Sequence, residues 1–201
     1  MQFRWGVIPT DPDVQSNPQE WRAIQGPDFP GLFVYLFPTA FGVLICLNIL
    51  WLLAGAGLLF PLQRPWNHIF THVVLFLTII IIHELIHAIG YPDRGLSRKT
   101  IIGFRPDLLM AYAHHYSPIS RNRLLFVTIL PFFILSLLPL VIFVIFGSGF
   151  LGQILSTGLL FVSLMNGVLS AGDLLGAIMV FRQIPPSAII CFSGGKVYWK
   201  L

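Results

Sequence analysis

Two histidines and a glutamate interrupt an apolar run in TIIIIHELIHAIG, residues 78–90. On a helix, His83 and His87 share one face, so both imidazoles can reach a single ion. Glu84 follows the first histidine and can stand over a water held by that ion, as its general base. A divalent metal lowers the pKa of such a water towards about 7, which makes hydroxide available at neutral pH. The pattern points to metal-assisted hydrolysis. Two histidines leave the site incomplete, because catalytic zinc usually takes three protein ligands plus water, and a pair of histidines with one carboxylate is a common set.

The missing carboxylate has few candidates. Asp11, Asp13, Glu20 and Asp28 lie in a polar N-terminal segment, Asp93 and Asp107 in a polar middle segment, and only Glu84 and Asp173 fall within long apolar runs. An ionisable group in hydrocarbon is a functional-site candidate whose partner should be named. Asp173 lies about eight residues before the end of its run, and His83 and His87 about seven and three before the end of theirs. At about 1.5 Å per residue, all three sit within one to two helical turns of the same depth. Asp173 also completes a stripe with Ser163, Asn166 and Ser170, whose spacings place them on an arc of about 80°. In lipid that stripe must face protein or a wet cavity. Ser163 and Ser170 suit interhelical hydrogen bonds, while Asn166 could hold a substrate backbone or bond a neighbouring helix.

These residues need helices to position them, and the composition supplies them. The chain has 201 residues, 56% hydrophobic and 10% charged, with mean hydropathy +0.81. Soluble domains carry about 25% charged residues, so an integral membrane protein with one domain is expected. The expected fold is all-α, with four transmembrane helices over about 31–60, 67–90, 123–147 and 150–181, each longer than the ~20 residues that span a bilayer. The short connections QRPWNH and GSG make antiparallel pairs of helices one and two and of three and four. Pro131 and Pro139 should kink the third helix, while AGAG at 54–57 and the Gly172/Gly176 pair offer small surfaces for close packing. Asn48 in the first helix reads as an interhelical hydrogen-bonding residue.

Residues 1–30 read as an irregular, proline-rich arm with one short helix over SNPQEWRAI, capped by Asn17 with Pro18 at its first position. Trp21 there would suit a membrane interface. Between helices two and three, TIIGF and LLMAY flank Arg-Pro-Asp and predict a small β-hairpin. Residues 182–201 form a tail. Of the twelve Lys and Arg, only Arg64 lies in a short connection; the others lie in the arm, the middle segment and the tail. An even number of spans places those three segments on one side, and the positive-inside rule makes that side cytoplasmic. The pI of about 9.4 therefore reflects topology, and no nucleic-acid partner is implied. The expected location is the cell membrane, multi-pass, with both termini cytoplasmic. No basic region followed by an apolar core opens the chain, so no cleaved leader is expected. Cys46 and Cys191 lack metal or redox spacing and read as reduced and structural. His68 and His72 share helical spacing without a glutamate and read as interfacial, and His114 and His115 as solvated loop histidines.

HELIH in a membrane helix, then a basic segment, then a helix carrying Asn166 and Asp173 in NGVLSAGD, resembles the intramembrane metalloproteases of the site-2 type. It is similar, more closely, to a bacterial family of small membrane zincin peptidases. The resemblance covers about residues 66–181. It implies that His83, His87 and Asp173 bind zinc, that Glu84 is catalytic, and that Asn166 contacts substrate. The expected substrate is a protein or peptide in or near the bilayer. The rival is a non-catalytic metal-binding membrane protein acting as sensor, scaffold or transporter. A purely structural zinc has no need of Glu84 and is usually closed by four protein ligands. Substrate identity and oligomeric state are not encoded in any motif.

Overall fold

The computed structural model describes residues 1–26, 29–56, 69–147 and 150–201, with the side chains of 29, 30, 69 and 150–155 excepted. The expectations for Arg64, His68, the QRPWNH connection and most of GSG fall outside those residues. The chain divides into two compact units, Phe33–His83 with Pro131–Gly172, and Met1–Leu32 with Glu84–Leu130 and Asp173–Leu201.

The first unit is helical. It draws on α2 (Phe29–Leu53), α3 (Ile69–Gly90), a π-helical turn (Phe132–Leu137), α5 (Leu138–Phe146) and α6 (Phe150–Leu169), the π turn continuing α4 (Arg121–Pro131). Leu47, Trp51, Leu160 and Leu164 form its core, with Phe132 and Phe143 against them. Large apolar side chains such as Phe37, Leu53, Phe70 and Ile81 point outward, the pattern of helices surrounded by an apolar medium. Among the described residues, three helices are long and apolar enough to cross a membrane, or four if a bent pair counts as one span. That pair corrects the expectation of a continuous fourth helix. α6 ends at Leu169, and α7 (Ala171–Gln183) leaves at 47°. Gly167, Ser170 and Gly172 cluster at the break, where small, weakly helical residues permit a sharp turn. Gly167 also lets Leu47 approach its backbone, where a Cβ would collide with Leu47 Cδ1. Asn48 donates to Leu44 O on its own helix, so the expected interhelical role gives way to a local one.

The second unit holds two small sheets, which the all-α expectation with one hairpin did not include. The hairpin is present, β3 (Thr100–Arg105) antiparallel to β4 (Met110–His115), its second strand two residues later than LLMAY. The arm supplies β1 (Gln2–Trp5), parallel to β3. Gly103 makes this pairing possible, since a Cβ there would strike the Tyr112 ring and lie 2.7 Å from Arg4 O. The second sheet runs β2 (Arg22–Ala23), β7 (Lys196–Lys200), β6 (Ile189–Ser193), β5 (Ile119–Ser120), all antiparallel. Its β6–β7 turn, Gly194-Gly195, has both glycines at positive φ. The arm's helix is α1 (Pro12–Ser16), capped by Asp11, with Asn17 at its C-terminal end. Asp11 followed by Pro12 carries the same start signal as Asn17-Pro18, six residues earlier, and there the apolar Val14 can be buried. Val14, Trp21 and Cys191 pack together, so Trp21 lies in a core and not at a lipid interface. Burial and then Asp11 push the Cys191 thiol up to about 12, which leaves it an inert packing residue.

His114 and His115 also depart from expectation: both are buried, because β4 pairs along its length with β3. His115 bonds Thr100 Oγ1 at 3.0 Å and stacks on Tyr91. Burial pulls His114 down to about 4, against the opposing pull of Asp11. An unfolded histidine titrates near 6.5, so between those values the unfolded chain binds the extra proton. Stability from this group is full above about 6.5 and falls as pH drops towards 4. His114→Gln should flatten that acid limb of an unfolding-midpoint-versus-pH curve.

Candidate metal centre

α3 runs unbroken through His83, Glu84 and His87, and this continuity holds both imidazoles on one face. Both rings are buried, while Glu84 and Asp173 are partly exposed. Asp173 enters from the first turn of α7, where the positive end of the helix favours a carboxylate. Its Oδ2 lies 3.3 Å from His87 Nε2. His83, His87 and Asp173 each offer a ligand atom, and these atoms lie within 4.8 Å of one another.

The other nitrogen of each ring is spoken for, and the partners set the tautomers. His87 Nδ1 lies 2.8 Å from Val127 O. A carbonyl only accepts, so Nδ1 carries the proton and Nε2 presents its lone pair. Val127 O is available because the residue four positions on is Pro131, which has no N–H to close the helical bond. His83 Nδ1 lies 2.8 Å from Asn166 Oδ1. The orientation of that amide follows from its other contacts. Asn166 Nδ2 lies 3.1 Å from Pro131 O, 2.9 Å from Ser136 Oγ and 3.2 Å from Ser170 Oγ. Since Pro131 O must receive a donor, Oδ1 faces His83, and His83 also keeps its proton on Nδ1. The scaffold continues in fully buried bonds from Trp51 Nε1 to Ser163 Oγ and from Ser163 Oγ to Ser136 O. Asn166 itself is 0% exposed.

This arrangement fits a zinc ion. With each Nδ1 hydrogen-bonded outward, Nε2 is the atom each imidazole can offer to an ion beside the Asp173 carboxylate, a set of donors that suits zinc. Ligand atoms around a tetrahedral zinc at 2.0–2.1 Å stand about 3.3 Å apart, which matches the His87–Asp173 separation. The hydrogen bonds from both Nδ1 atoms are the outer contacts that fix the orientation and basicity of metal-binding histidines. Asn166→Ala should therefore weaken metal affinity about 10- to 100-fold by freeing the His83 ring, measured by competition with a chromogenic chelator.

Of the residues singled out in the sequence, the structure brings His83, His87 and Asp173 together, and Glu84 follows His83 on α3. Asn166 sits behind His83, and Ser163 and Ser170 belong to the same buried scaffold. His72 packs edge-on against Phe161, well before His83 along α3. Ser136 and the Val127 carbonyl had no place in the sequence reading, which took Pro131 only as a kink in the third helix. A backbone carbonyl leaves no trace in sequence, though Pro131 four residues after Val127 is a signal that a carbonyl goes unclaimed.

A family model described as "Putative zincin peptidase" matches residues 76–189, more than half of the chain. The matched segment opens within α3, before His83, and closes beyond α7, after Asp173. No curated protein and no solved structure matches the chain.

Proposed function

The chain belongs to the family of that description, and from this premise we propose that it is a membrane-embedded zinc metallopeptidase of site-2 type. Its substrates are membrane-associated or transmembrane proteins and peptides. The carrying observation is the convergence of two inward-facing Nε2 atoms and the Asp173 carboxylate beside Glu84. His83, His87 and Asp173 would hold the ion. Zinc held there supplies a Lewis acid for the scissile carbonyl and water acidified towards a pKa of about 7. Glu84 accepts the proton of the attacking water and delivers it to the departing amine. Asn166 and the Val127 carbonyl keep the two rings from turning, so that no reorganisation accompanies the reaction.

Four spans with cytoplasmic termini are the topology we favour. The second sheet supports it: β2 precedes α2, β5 follows α3, and β6 and β7 follow α7. Strands hydrogen-bonded in one sheet lie on one side of a bilayer, so the helices between them must cross an even number of times. Counting the bent α6–α7 pair as one span meets that condition. The concentration of Lys and Arg in these same segments assigns the side as cytoplasmic. β4 ends its sheet among the described residues, and on our reading it pairs with an extended substrate backbone.

The test is reconstitution in lipid nanodiscs with a panel of single-span and soluble-tail peptides. Cleavage should vanish on zinc removal by a chelator and return in proportion to zinc restored. A protein that takes up zinc stoichiometrically yet cleaves nothing in the panel would favour the sensor, scaffold or transporter reading.

A further inference from the structure

One face of the sheet β1-β3-β4 ends, at β1, in apolar side chains that its unit leaves exposed. Paired residues project to the same side of a sheet, and successive residues to opposite sides. The pairings Gln2↔Ile101↔His114 and Arg4↔Gly103↔Tyr112 therefore define one face, on which Ile101, Tyr112 and His114 are buried. Phe3↔Ile102↔Ala113 and Trp5↔Phe104↔Ala111 define the other. An antiparallel sheet with one face in water normally alternates, apolar inside and polar outside. At one end of this second face the pair Thr100↔His115 is buried and Ala113 packs against the core around Tyr91, while towards β1 the face is apolar and opens, with Phe3 75% and Trp5 67% exposed. Leu96 and Leu109 are exposed in the adjoining turns. Leu109 holds φ at 48°, an unusual conformation for a bulky residue with no packing to show for it.

Two observations say what covers this face. The first is continuity with a candidate span. α3 ends at Gly90, and the next residue, Tyr91, stacks on His115 and reaches Ala113 O with its hydroxyl, so the sheet is fastened directly to the end of a long apolar helix. The second is charge. Arg94, Arg98 and Lys99 are exposed between α3 and β3, while the two acids of this region are engaged locally. Asp93 is held by Ser97, Thr100 and the Gly95 amide, and Asp107 by Arg105. Exposed aromatic side chains on a sheet whose leading segment, Asp93 to Lys99, is net positive match the headgroup layer of an anionic bilayer. We propose that the β1 margin of this face lies in the interfacial layer of an anionic membrane, with Phe3 and Trp5 in the acyl boundary and Arg94, Arg98 and Lys99 at the phosphates. This rests on the reading of α3 as a membrane span.

The test places a nitroxide amino acid at Phe3 or Trp5 by stop-codon suppression in the full chain. The protein is reconstituted in phosphatidylcholine vesicles containing phosphatidylglycerol, and collisions with oxygen and with a water-soluble nickel chelate are compared. Ile81 in α3 serves as the lipid reference and Glu20 as the water reference, both positions lying outside the buried cores. Labels at Phe3 and Trp5 should resemble Ile81, with oxygen favoured and nickel excluded, and Arg98→Glu with Lys99→Glu should move them towards the Glu20 values. Labels that match Glu20 from the outset overturn the proposal, as do labels shielded from both relaxants, which would mean a protein covers the face. Labels unmoved by charge reversal overturn the anionic assignment. If Ile81 itself matches Glu20, the span reading fails and this proposal with it.

Discussion

Glu84→Gln should lower peptide hydrolysis by about 10²- to 10⁴-fold, the range that a positioned general base contributes, while zinc content stays at the wild-type level. Glutamine has the size and shape of glutamate but cannot take a proton. The two imidazoles keep their Nδ1 hydrogen bonds to Asn166 and Val127 O in the variant, so the rings stay oriented. Glu84 is partly exposed, and the buried bonds among Trp51, Ser163, Ser136 and Asn166 are made by other side chains. The check pairs initial rates on a cleaved peptide with elemental analysis of the same preparation. A variant with full zinc and undiminished turnover would show that the base is some other group. A variant that loses zinc would mean that Glu84 is a ligand.

Asp173→Ala should have the opposite signature: zinc affinity falls by more than the ~100-fold typical of losing an outer contact, and activity disappears with the metal. Two effects must be kept apart. Asp173 sits in the first turn of α7, where a carboxylate stabilises a helix by about 0.3–1 kcal/mol whether or not metal is bound. It also faces His87 Nε2 at 3.3 Å. The first effect lowers the stability of metal-free and metal-loaded protein alike. The second removes only the increment that zinc adds, which grows with zinc concentration over its dissociation constant. Thermal unfolding with and without zinc separates them. A variant whose midpoint still rises with zinc as the wild type's does would show that Asp173 serves the helix end and not the ion.

The centre of the site was legible in the sequence for one reason: ionisable groups are rare and expensive in apolar runs, so His83, Glu84, His87 and Asp173 stood out against their surroundings. Helical spacing then related the members of each run, and depth counting related one run to the other. The supports were illegible. Serine and proline are ordinary in membrane helices, and nothing local distinguishes Ser136, which bonds Asn166, from any other serine. His114 and His115 were misread because a polar segment looks solvated until its strand finds a partner. The tail was misread for a related reason. IICFS-GG-KVYWK carries a hairpin pattern, but its sheet is completed by β2 and β5, far away in the chain.

By itself, then, the sequence marked the long apolar helices and the groups that could hold a metal, because hydropathy and helical period act over a few neighbouring residues and can be read in one dimension. Only the tertiary structure decided how those groups are aimed. Which nitrogen of His83 and His87 bears the proton depends on acceptors 83 and 40 residues away. One of them, Val127 O, is a carbonyl left unclaimed by Pro131, and the other, Asn166 Oδ1, is oriented by Pro131 O and two serines. A tautomer is set by hydrogen-bond geometry, and that geometry exists only once distant segments are packed together.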